Sequence, residues 1–181
     1  MKLESIDKNT YRQRLNRIII GFIVTLTILS VAYGAALIII FTEILSQPEM
    51  NEGMTNATSN FKYNLAGVIL ALLSCAALLN FLKTTTFFKE IYYVWQLKQI
   101  HNLIYRKLKK IKAAAFDKND EKAMVILYFY YTSLLQVYVL DDNTLTLSSV
   151  KLEQQKLNEL LLEKDKSINV AEFDKQLIAM F

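Results

Sequence analysis

The sequence predicts an all-α protein, a transmembrane helical hairpin followed by a cytoplasmic helical bundle. Three observations predict it. Residues 18–42 make a run of 25 without a charged side chain, and residues 63–82 make a second run of 20. A hydrocarbon core is crossed by roughly 20 apolar residues at ~1.5 Å rise each, and only a helix satisfies its own backbone there. From Val68 to Phe181 there is neither glycine nor proline, so nothing in the tail punctuates helix with turns or bulges. The composition, 53% hydrophobic yet 21% charged, is divided along the chain in the same way.

Residues 1–17 are a basic N-terminus, with Lys2, Lys8, Arg12, Arg14 and Arg17 against Glu4 and Asp7. The loop 43–62 is acidic, and residues 83–122 hold ten bases against four acids. Lys and Arg enrich cytoplasmic flanks, so both termini are expected inside and the short loop outside. A basic stretch before an apolar one also suits a signal peptide. The first run exceeds a signal core and a second span follows, which favours an uncleaved anchor. Small residues suggest how the spans meet: Ser30 and Gly34 in the first, and Gly67, Ala71 and Cys75 in the second. Rows of small residues four apart let helix backbones approach closely in lipid. They serve either the hairpin or a homo-oligomer. Cys75, the single cysteine, forms no disulfide framework and reads as a small packing residue.

The loop 43–62 contains Pro48 and Gly53, and residues 49–60 read as a flexible linker. Asn56-Ala57-Thr58 matches a glycosylation acceptor, though a plain turn close to the membrane is the expectation. The second span, 63–82, is expected to run on through Thr84–Thr86 into Phe87–Ala115. There Tyr93, Leu97, Ile100, Ile104, Leu108, Ile111 and Ala115 recur every three or four residues, the stripe of a helix with a partner. Arg106, Lys107, Lys109, Lys110 and Lys112 lie on the other faces. These five are candidates for contact with anionic lipid headgroups. A solvated face that enforces topology is the simpler account, and nucleic acid is not an expected partner.

Residues 123–140 are uncharged and reach the lower limit for a span. Their spread tyrosines, with Thr132, Ser133 and Gln136 near the middle, instead predict the central helix of the bundle. Asp141–Thr144 is the following turn. A helix capped by Ser148 or Ser149 should run to about Lys164, with Val150, Leu157, Leu160 and Leu161 inward. Asn169 and Glu172 resemble a capping box opening a last helix. The acidic segment 141–181 is expected to lie against the basic 83–122.

Phe61-Lys62-Tyr63-Asn64-Leu65-Ala66-Gly67-Val68, Tyr93-Val94-Trp95-Gln96-Leu97-Lys98 and Leu140-Asp141-Asp142-Asn143 carry a resemblance over nearly the whole chain. The sequence resembles an uncharacterised family of small bacterial inner-membrane proteins with a domain of unknown function. That resemblance implies two spans, a cytoplasmic helical tail (residues 83–181) and a bacterial inner membrane. It implies no activity.

The inventory points away from enzymes. His101 is the single histidine and lies beside an apolar stripe with no second metal ligand or nucleophile near it in sequence. No glycine remains after Gly67 to form a phosphate loop. Asp141-Asp142 could hold a cation, but a solvated turn is the expectation. No cofactor or metal is expected. The function expected is that of a membrane-anchored interaction or scaffold protein whose tail binds a protein partner or a second copy. A small channel or transporter subunit, or an anionic-lipid-binding protein, is the alternative. Neither span has a charged residue to line a polar path.

Overall fold

The computed structural model describes residues 2–44 and 56–181. Most of the expected loop, including Pro48, Glu49, Glu52 and Gly53, lies outside them. Five α-helices follow in order: α1 (Lys8–Ile38), α2 (Asn56–Leu82), α3 (Lys89–Asp117), α4 (Glu121–Leu140) and α5 (Leu147–Glu163). A π-helical segment, Ile39–Ile44, continues α1, and two 3-10 segments, Val170–Glu172 and Lys175–Met180, end the chain. The described residues contain no strand. The chain forms two compact units, Arg14–Lys89 and Met1–Gln13 with Glu90–Phe181.

In the first unit, α1 and α2 meet where side chains are smallest. A Cβ added to Gly67 would sit 2.6 Å from the Gly34 nitrogen and 2.8 Å from its Cα. Ser30 contributes its carbonyl, 3.2 Å from the same point. Ala71 and Cys75 are buried further along α2. Glycine thus faces glycine; only a pair lacking Cβ atoms permits so close a backbone approach. Tyr33 and Ser74 hydroxyls bond across the pair at 3.0 Å, and Phe41 stacks on Tyr63 at 5.6 Å. Large apolar side chains such as Ile28, Val31 and Leu73 face outward and are exposed.

Two expectations fail in this unit. Asn56–Thr58 lies in the first turn of α2 rather than in a loop; Asn, Thr and Ser are tolerated at a helix start, and the apolar run behind them propagates the helix. The second span also does not run on into α3. Backbone turns replace the helix at 83–88, with Thr85 N bonding Leu82 O at 3.0 Å. Thr84 and Thr85 hydroxyls donate to the Phe81 and Leu82 carbonyls at 3.2 and 2.8 Å. Threonine hydroxyls compete for the last helical carbonyls, which ends α2 without glycine or proline.

In the second unit, α4 is the core. It is long and apolar enough to cross a membrane, but 67% of its apolar window is buried, against 6% in α1 and 17% in α2. Ala123 to Leu127, Phe129, Tyr130, Tyr131, Leu134, Val137 and Leu140 are enclosed by neighbouring elements. The stripe on α3 faces this core: Tyr93, Leu97, Ile100, Ile104, Ile111 and Ala115 are buried, and Leu108 is half-buried. Leu157 and Leu161 enter from α5, where Gln154 donates to the Thr132 hydroxyl at 3.0 Å.

Without glycine, the turns use asparagine and aspartate in the left-handed region: Asn119 (φ 54°), Asp142 (φ 57°) and Asp165 (φ 51°), which these residues tolerate best among non-glycine types. Thr146, not Ser148 or Ser149, precedes α5, and its side chain caps nothing; Ser149 instead donates to the Thr146 carbonyl at 2.8 Å. The Asn169–Glu172 capping box forms, with Asn169 N bonding Glu172 at 2.9 Å. It opens a three-residue 3-10 turn, not a full helix. An extended residue at Phe173 lets its ring stack on Phe129 at 3.8 Å, and burying Ile178 requires a second turn, capped by Asp174.

Candidate functional site

The N-terminal segment is bonded into the second unit at the α4–α5 turn. Asp142 pairs with Lys8 and, at 2.8 Å, with Arg12. Asp141 pairs with Lys98 at 2.7 Å and accepts the Tyr11 hydroxyl at 3.1 Å. Lys8, Tyr11 and Arg12 lie one helical turn apart on α1, so one face of three residues meets two adjacent carboxylates. The Lys8 ammonium, bonded to Asp142, holds that carboxyl below its ordinary value. Nearer the N-terminus, Glu4 N donates to the Tyr93 hydroxyl at 2.9 Å, and Gln136 donates to the Glu4 carbonyl at 2.6 Å. Tyr11 itself is 2% exposed, so the contact has a packed centre as well as charge. Asp141 and Asp142 form the expected turn, with Asp142 exposed, and both carboxylates are paired with cationic side chains. Among the described residues no group of His, Cys, Asp and Glu is arranged to hold a metal ion.

Three of the five basic candidates on α3 have internal partners. Lys107 donates to the Ile178 carbonyl at 2.9 Å and Lys110 to the Phe181 carbonyl at 3.4 Å. Lys112 pairs with Glu153, which also holds Lys156 at 3.0 Å. These lysines tie the C-terminal segment and α5 to α3. Arg106 and Lys109 are exposed. The expected attraction between 83–122 and 141–181 is realised in the pairs Lys98–Asp141 and Lys112–Glu153, and Lys107 and Lys110 add bonds to backbone carbonyls, while Asp142 turns to the N-terminal segment.

His101 is buried, and its Nε2 lies 2.8 Å from the Ser133 hydroxyl. Ser133 donates its own proton to the Phe129 carbonyl at 2.7 Å, so it accepts from a neutral Nε2–H. The ring meets Tyr130 edge-on at 5.6 Å. Burial, then the charge of Lys98, lowers the His101 pKa to about 4. The unfolded chain therefore binds this proton between pH ~6.5 and ~4 while the folded chain does not, and stability should fall as pH drops through that window, by up to about 3 kcal/mol. Thermal unfolding of the detergent-solubilised protein checks this: the fall should shrink in His101→Gln. A pH slope equal in both proteins would place the effect elsewhere.

The opposite side of α3 carries an exposed aromatic patch. Trp95 is 53% exposed, and its ring stacks on Tyr92 at 5.6 Å. Trp95, Gln96, Gln99, Ile100 and Leu103 line a groove of about 600 Å³, with Lys175 at its edge. Trp95, Gln99 and Leu103 are four residues apart and share one face. The patch was missed in the sequence because Ile100 belongs to the buried stripe while Trp95 and Leu103 flank it; an exposed tryptophan beside a stripe was the available signal.

No curated protein and no solved structure matches the chain. One family model matches residues 1–178. The chain belongs to the family described as protein of unknown function (DUF3087).

Proposed function

We propose that the chain is a two-span protein of the bacterial inner membrane, with both termini cytoplasmic, that acts as an anchored interaction module. Its binding part is the helical domain built from the N-terminal segment and residues 90–181. The observation that carries this proposal is the groove on α3, where Trp95 and Leu103 are left exposed beside a filled core. Large exposed aromatics rimmed by polar groups are characteristic of protein contact sites, and tryptophan is enriched at their energetic centres. The bonds between the N-terminal segment and the α4–α5 turn support the topology, since two segments that fold together share one side of a bilayer. The burial of α4 supports two spans over three. A non-enzymatic role is supported by His101, which is spent on Ser133 and neutral at pH 7.

The test is site-specific photocrosslinking of the full chain in its native membrane. A crosslinker at Trp95 or Leu103 should yield a discrete protein adduct, of a second copy or of another polypeptide, and one at Lys109 should not. Adducts of equal yield at all three positions, or at none, would contradict a binding face on α3.

A further inference from the structure

We propose that the cleft between α1 and α2, at the end that carries Arg17, is a binding site for one anionic phospholipid. The acyl chain would lie in the cleft and the phosphate against Arg17; the proposal rests on the two-span membrane reading. The helices touch at Gly34 and Gly67 but leave space one side of that contact. A cavity of about 230 Å³ is lined by Gly21, Phe22, Thr25, Leu78 and Leu82, with Arg17 at its end. A Cβ added to Gly21 would meet nothing within 4 Å. The helix therefore has a gap here that its own neighbours do not fill.

The volume and lining select the ligand. Sites for compact organic ligands run from about 300 Å³ upward and carry several polar groups. This cavity is smaller and almost wholly apolar, which fits a flexible hydrocarbon chain. Its one charged group is Arg17, for which the described residues provide no hydrogen-bond or ion-pair partner. Arg14, one turn earlier, is engaged: it donates to the Thr86 carbonyl at 3.4 Å and lies over the Phe87 ring at 5.7 Å. Lys83 donates to Asn80 at 2.6 Å. An uncommitted guanidinium at the mouth of an apolar cleft matches a phosphate in charge and in its forked donor geometry. Basic pockets between spanning helices on the cytoplasmic side recognise anionic headgroups in this way.

The experiment has two stages on the full chain. Alkaline carbonate extraction of membranes comes first; release of the protein into the supernatant would overturn the membrane reading and the lipid site together. Protein retained in the membrane is then purified in detergent, and lipid adducts are counted by native mass spectrometry with phosphatidylglycerol and phosphatidylcholine of identical chains. The wild type should hold one phosphatidylglycerol with about fivefold preference, the value of one near-surface base. Arg17→Gln should lose the preference but still take up lipid, Arg17→Lys should keep most of it, and Gly21→Leu, which fills the cleft, should bind neither lipid. Glycerol 3-phosphate, with the charge but no chains, should not displace the lipid. Retention in the membrane with no headgroup preference, with Gly21→Leu binding as wild type, with displacement by glycerol 3-phosphate, or with a lipid-free dimer whose second copy fills the cleft, would overturn the site while leaving the two-span reading in place.

Discussion

Truncating Ile104 to alanine is expected to destabilise the helical domain by about 2–5 kcal/mol. Ile104 is fully buried on α3, three residues from the His101–Ser133 bond that links α3 to α4. Removing its three outer carbons leaves a cavity between two long helices that cannot collapse independently. A native domain is stable by only ~5–15 kcal/mol, so the loss is a large share of the total. Lys109→Ala is the matched control: it is exposed on the same helix and should shift stability by no more than about 0.5 kcal/mol. Thermal unfolding of the full chain in detergent, followed by loss of α4 amide protection, reads both. Equal small shifts would mean that α3 is not packed as described.

Replacing Gly67 with valine is expected to separate α1 from α2. The new Cβ would fall within 2.8 Å of two backbone atoms of Gly34, and backbone, unlike a flexible side chain, has no rotamer to escape into. Overpacking alone typically costs about 1–3 kcal/mol, and here relief requires the helices to move apart along the contact that also holds Tyr33 to Ser74. A distance measurement between labels at two outward-facing positions, Val31 on α1 and Leu73 on α2, should report the separation. Gly21→Val, with open space around it, should not. Unchanged spacing in Gly67→Val would contradict the glycine contact.

Much of the helical layout was legible because periodicity and the missing glycines act locally. The stripe from Tyr93 to Ala115 names the buried face of α3, and the spread polar groups of 123–140 agree with the burial of most of α4 among its neighbours. What was not legible depended on competition or on distance. Thr84 and Thr85 carry good helical neighbours, and only their hydroxyl bonds to α2 carbonyls show that the helix ends there. The Asn169 box is correctly formed, yet tertiary burial of Phe173 and Ile178 truncates the helix it should open. The contact of Lys8, Tyr11 and Arg12 with Asp141 and Asp142 spans about 130 residues of sequence. No local pattern in a basic N-terminus separates a topology signal from a docking segment. The basic residues of α3 were visible as a cluster, but their division between C-terminal carbonyls, Glu153 and solvent was not.

The most direct test of the central claim, a two-span hairpin whose N-terminal segment and tail fold together on one side, is a set of topology reporters. A reporter that is active only outside the cytoplasm and one active only inside are fused after Asn51, which lies outside the described residues, after Lys112 and after Phe181. The account predicts an extracytoplasmic signal at Asn51 and cytoplasmic signals at Lys112 and Phe181. A cytoplasmic signal at Asn51 would contradict the two spans. A cytoplasmic signal at Lys112 with an extracytoplasmic one at Phe181 would make α4 a third span and contradict the folded domain.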